Sequence, residues 1–121
     1  MNADVKKKWV EALRSGEYKQ GQGRLQRDGA FCCLGVLCDL HAKETGLKWM
    51  THAEAFSPVW PYSSDGALVY IGRSAELPDE VVSWAGVEDS NPQVGAKAAY
   101  VWNDAEGKTF TEIADLIEEH L

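Results

Sequence analysis

Cys32, Cys33, Cys38 and His41 gather two soft ligand types and three candidate nucleophiles in one short stretch. Cys38 and His41 lie three apart, so on a helix they share a face and both could reach one metal. A structural zinc site needs four ligands, normally as two spaced pairs, and no second pair exists here. His52 and His120 have no partner spacing. A cysteine nucleophile needs an accessible thiolate of depressed pKa and a positioned base. A core face works against all three. We expect buried, inert thiols with no metal and no cofactor, and keep a cysteine or metal enzyme as a further alternative.

The carboxylates are plentiful but follow local structure. Asp79-Glu80 open a helix, Glu88-Asp89 precede a loop, and Glu118-Glu119 lie near the last residue. Each fits a helix start, turn or solvated surface better than an acid/base pair. The sequence holds no phosphate-binding glycine loop, dinucleotide fingerprint or HExxH motif. Its segment from Asn103 to Glu118 resembles the first half of a helix-turn-helix. No recognition helix follows, and its acidic residues would face a phosphate backbone, so duplex DNA is not an expected partner.

Aromatic and guanidinium groups are the stronger signal. Trp49, Trp60, Tyr62, Tyr70, Trp84, Tyr100 and Trp102 exceed what a small core readily hides. Trp and Tyr offer large rigid surfaces with a polar handle, which suits binding. Arg24, Arg27 and Arg73 flank predicted hairpins, where a guanidinium can clamp phosphate or carboxylate bidentately. Stacking rings beside an arginine clamp suit a nucleotide-like anion. The candidate ligand-binding residues are therefore Arg24, Arg27 and Arg73 for charge and Trp49, Trp60, Tyr62 and Tyr70 for stacking.

Charge is distributed unevenly. Residues 1–31 hold seven basic and four acidic side chains, whereas residues 74–121 hold two basic and eleven acidic ones, within a net charge of −7. The acidic half reads as a solvated, solubilising surface, or as one pole of a dipolar molecule whose basic end faces an anion. The N-terminus shows no secretory pattern, no apolar run reaches membrane-spanning length, and three cysteines make no disulfide framework. A cytoplasmic protein with reduced thiols and no membrane association is expected.

Several elements must position these groups. Val5, Trp9 and Leu13 recur every four residues and predict a helix from Ala3 to Arg14, capped by Asn2 or Asp4 and ended by Gly16. Gly21 and Gly23 break the chain, and Asp28-Gly29 predicts a hairpin between Leu25 and Phe31. The stretch FCCLGVLCDLHAKETG has helical period and a wide apolar surface, as a buried central helix would. Residues 47–71 read as extended, with Pro58 and Pro61 opposing a helix and Asp65-Gly66 turning into a strand at Ala67–Ile71. LPDEVVSWAG predicts a short helix stopped at Gly86. Ala98–Trp102 fits either a strand or a short helix. Thr109 and Glu112 form a capping box before the stripe Phe110, Ile113, Ala114, Leu116 and Ile117. Glu118 and Glu119 sit unfavourably near the negative end of that helix. The expected fold class is α+β. It is one small domain over residues 1–121, with a buried central helix, N- and C-terminal helices and short antiparallel hairpins.

KKKWVEALRSGEYKQGQGRL, FCCLGVLCDL, LPDEVVSWAG, NPQVG and WNDAEGKTFTEIADLIE together resemble a family of small bacteriophage and prophage proteins, over nearly the whole chain. Ala105-Glu106 make the spacing after Asn103-Asp104 one residue longer than the family's usual form, which alters that turn. The resemblance implies a setting and no catalytic residues. Phage accessory proteins of this size often occupy a host target. The leading expectation is a non-enzymatic, counter-defence binding protein that sequesters a small nucleotide-derived anion in the host bacterial cytoplasm. The alternative is an acidic inhibitor of a host defence protein. A homo-oligomer, with sites between subunits, is compatible with either.

Overall fold

Val5, Trp9, Val10 and Leu13 form the buried stripe of helix α1 (Ala3–Arg14). The Asn2 side chain accepts the Val5 N–H and caps it, settling the choice between Asn2 and Asp4. The computed structural model describes residues 1–55 and 66–121. Strands β1 (Lys19–Gln20), β2 (Gln26–Arg27) and β3 (Ala30–Phe31) form a small sheet of order β1-β3-β2. The β2–β3 pair is the expected hairpin, turning at Asp28-Gly29 with both residues at positive φ (53° and 79°). A two-residue hairpin turn of that kind matches the natural twist of the strands. The β1–β3 pair is parallel, which local turn signals do not announce.

Helix α2 (Cys33–Thr45) follows and is the centre of the molecule. Every residue from Cys33 to Cys38 is buried, as are His41 and Ala42. The Trp9 indole is wholly buried and donates its N–H to the Cys33 carbonyl at 2.9 Å, locking α1 to the first turn of α2. Gly35 is required by contact. A Cβ there would lie 1.7 Å from the Leu25 carbonyl oxygen, so only a bare α-carbon lets the strand-side backbone reach the helix.

The expected extended segment after α2 contains a short helix, α3 (His52–Ala55). Thr51 and Glu54 cap each other's backbone N–H there, and this local reciprocity outweighs the β-forming composition around it. Asp65 falls outside the described residues. Ala67 to Tyr70 make isolated bridges rather than a hairpin strand: Ala67 pairs with Arg27 and Val69 with Met50. Helix α4 (Asp79–Ala85) ends at left-handed Gly86, as its sequence predicts. A second hairpin, β4 (Gln93–Val94) with β5 (Lys97–Ala98), leads directly into helix α5 (Ala99–Asp104). Ala98–Trp102 therefore divides, its first residue in a strand and the rest in a helix. Helix α6 (Phe110–His120) starts at the expected Thr109–Glu112 capping box and packs against α1. Arg14 of α1 pairs with Asp115 and Glu118, which explains a glutamate placed against the helix dipole. The architecture is α+β, and among the described residues no helix is long and apolar enough to cross a membrane.

Gly35→Ala is expected to cost about 3 kcal/mol or more, the upper range for overpacking, measured by urea denaturation. Buried His41 places Nδ1 2.6 Å from the Tyr70 hydroxyl, and burial lowers its pKa below the ordinary 6.5 despite Glu44 and Glu80 nearby. The unfolded chain then binds the imidazole proton first as pH falls. The stability contribution is complete above about pH 6.5 and shrinks as pH drops below it. His41→Gln should show a shallower loss of stability between pH 7 and 5 than the native chain. Equal slopes would assign that loss elsewhere.

Candidate functional site

The candidate site grows from one buried polar residue. Asn103 on α5 is fully buried, and its Nδ2 donates to the Gly21 carbonyl at 2.9 Å and to Asp104 Oδ1 at 2.7 Å. Its Oδ1 accepts from Gln20 Nε2 at 2.9 Å, and its backbone carbonyl accepts from Gln22 Nε2. Gln20 Nε2 also reaches the Lys108 carbonyl at 2.8 Å. The segment 20–23 is thus fixed to the end of α5 by side-chain amides. Residues of this segment border two clefts.

The first cleft, about 440 Å³, is lined by Gly23, Gly72, Arg73, Ser74, Ala75, Glu76, Asn91, Tyr100 and Asp104. Arg73 pairs with Glu76 Oε1, while Ser90 and Asn91 both donate to Glu76 Oε2. That carboxylate is held from two sides. Tyr100 projects from α5 as an exposed ring at 41%. The rim at Ile71-Gly72 is a tight turn with both residues at positive φ (47° and 80°), closed by hydrogen bonds between Tyr70 and Arg73. A β-branched residue with φ of this sign is an outlier, and the turn carries its strain beside Arg73.

The second cleft, about 410 Å³, is lined by Gln20, Gly21, Gln22, Arg27, Gly107 and Lys108. Of the residues expected at a site, Arg73 lines the first cleft and Arg27 the second. Half-buried Arg24 donates Nη1 to the Gly23 carbonyl at 3.2 Å. Trp49 and Tyr70 lie in neither cleft. Trp49 packs on Phe31 and Tyr70 and donates to Asp39, while Tyr70 is wholly buried with its hydroxyl on His41. Trp60 and Tyr62 lie outside the described residues.

Most of the remaining rings are also absorbed at the edge of the core, each with its polar atom bonded. Trp84 donates to Glu44, Trp102 to the Val94 carbonyl and Tyr18 to Asp39. Tyr100, Glu76, Asn91 and Asp104 were not singled out from the sequence as site residues. Only Tyr100 carried a signal, as one of the surplus rings.

Cysteine chemistry finds no support in the geometry. Burial pushes the Cys32 thiol up to about 11, and raises Cys33 and Cys38 well above their usual range. His41 engages Tyr70 and stacks edge-on against Trp84. Among the described residues no three His, Cys, Asp or Glu side chains are grouped to hold a metal ion.

One family model matches residues 1–121. The chain belongs to that family, described as a domain of unknown function (DUF8296). The whole-chain resemblance drawn from the motifs therefore holds at the level of a family of unassigned function. No curated protein and no solved structure matches the chain. Neither cleft of this DUF8296 chain thus inherits a role from a relative, and the chemistry must come from its own residues.

Ile71→Asn in the DUF8296 chain should raise stability by about 1 kcal/mol, because Asn tolerates the left-handed conformation that costs other residues about 1–2 kcal/mol. Thermal unfolding measures it. A loss instead would mean that the isoleucine side chain contributes more by contact than the turn costs by strain.

Proposed function

We propose that this protein captures a small nucleotide-derived ligand without transforming it, its base and sugar entering the cleft beside Arg73. The proposed setting is a bacteriophage or prophage accessory protein that removes a defence signal from the host cytoplasm. The carrying observation is the first cleft itself, where an exposed Tyr100 ring and the Arg73 guanidinium line one concave surface. A phenol face offers stacking area to a base. Glu76, Asp104 and Asn91 offer acceptors for base amino groups and sugar hydroxyls, and a guanidinium keeps donors beyond the pair it makes. The strained turn at Ile71 is consistent with a binding rim, since such strain tends to persist where function requires it.

Capture is favoured over cysteine catalysis because the cleft lining offers neither a thiol nor an imidazole, and burial raises the thiol pKa values. It is favoured over an acidic protein-partner inhibitor because part of the acidic charge, at least four of the eleven acidic side chains in residues 74–121, is already paired within the chain. Asp115 and Glu118 pair with Arg14, Glu106 with Lys97 and Glu76 with Arg73.

The test is thermal shift against cyclic nucleotides and ADP-ribose derivatives. At least one should raise the midpoint in proportion to the logarithm of its concentration. Tyr100→Ala and Arg73→Ala should each remove most of that shift. If the whole panel leaves the midpoint unmoved at millimolar concentration, capture of this ligand class is wrong.

A further inference from the structure

The first cleft is a poor seat for a phosphate, because Glu76 and Asp104 would repel it at close range. The second cleft has the opposite character. Its charged lining residues, Arg27 and Lys108, are both cations, although the chain carries a net charge of −7. The two clefts have no lining residue in common but abut in the chain: Gln22 lines one and Gly23 the other, and consecutive Cα atoms stand only about 3.8 Å apart.

We infer that the cleft of Arg27 and Lys108 is a phosphate subsite, and that the ligand class is a nucleoside phosphate lying across the segment 20–23. The inference rests on the capture reading for its nucleoside half and stands on its own for its phosphate half. Arg27 already interacts within the protein, but a guanidinium has five N–H donors, so it can serve a phosphate as well. The Lys108 ammonium lies 3.9 Å from Glu112, and the residue also borders a cleft lined by Glu112, Asp115 and Glu119, so a phosphate must draw it from those carboxylates. The polar floor is fixed in advance. Gln20 and Gln22 have their amides committed to Asn103 and Lys108, and Gly21 is held so close to Ala30 that an added Cβ would stand 2.9 Å from its side chain. Such a floor loses little freedom when a ligand arrives, which is how a small site gains affinity.

Calorimetric titration with adenosine, guanosine, cytidine and uridine, with their 5′-monophosphates and with pyrophosphate tests the assignment. At least one monophosphate should bind about tenfold or more tightly than its nucleoside, a gap of about 1.4 kcal/mol. The double variant Arg27→Gln/Lys108→Gln should abolish that gap while keeping the nucleoside affinity. Lys7→Gln/Lys8→Gln, which removes the same charge from α1, should preserve it. Tyr100→Ala should weaken nucleoside and nucleotide alike. Equal affinity for nucleoside and monophosphate overturns the subsite and leaves capture standing. Pyrophosphate binding that Arg27→Gln/Lys108→Gln removes, with no nucleoside bound, identifies a free-anion site and overturns the nucleoside half. Binding of none of these compounds overturns both.

Discussion

A buried amide must find partners for its donors and its acceptor, since each left unmet costs about 1–3 kcal/mol. Asn103 meets that demand with the Gly21 carbonyl, the Gln20 amide and the Asp104 carboxylate, residues that the chain must bring together from opposite ends. The consequence reaches beyond stability. By tying segment 20–23 to the end of α5, Asn103 helps to hold Gly23 at the first cleft with Tyr100 and Gln22 at the second with Lys108. The Asn-Asp pair also divides its work. Asn103 faces inward and fixes the backbone, while Asp104 lines the first cleft.

The amide network would have nothing rigid to act on without the central helix. α2 is buried along its first six residues, and its Gly35 admits the Leu25 carbonyl into contact. Leu25 in turn donates its N–H to Ser74, next to Arg73. A chain of close backbone contacts thus runs from the helix through Leu25 to the turn that carries the guanidinium. The cysteines of the same helix serve this packing. Cys33 lies within 3.5 Å of the Ala99 carbonyl where α5 begins, and its own carbonyl receives the Trp9 indole. Small, soft side chains fill these positions without demanding a polar partner.

What was legible in the sequence was whatever depends on near neighbours. The α1 stripe, the Asp28-Gly29 turn, the Thr109–Glu112 box and the stop at Gly86 all rest on residues within a turn or two of each other. The α+β class followed from them. Pairings between distant segments were not legible: the parallel β1–β3 contact, the Ala67–Arg27 bridge and the Gln20–Asn103 bond leave no periodic trace. The β4–β5 hairpin, with two residues in each strand, is too short for alternation to show. Trp49, Trp84 and Trp102 lie partly buried against the core. A small protein can hold many half-buried indoles when carboxylates and carbonyls at the core's edge accept their N–H groups, as Asp39, Glu44 and the Val94 carbonyl do.

The same reasoning explains why the arginines separate. β2 pairs with β3, and Arg27 of β2 lines the second cleft. The turn at Ile71-Gly72 leads into Arg73, which lines the first. A single three-arginine clamp would have concentrated positive charge in one place. On the proposed reading, two clefts of different charge would instead sort the two halves of a ligand, acceptors meeting a base and sugar while cations meet a phosphate. Repulsion from Glu76 and Asp104 would then orient that ligand as much as the favourable contacts do. For a small acidic protein, such a repulsive contact would add selectivity that a limited buried area does not supply alone.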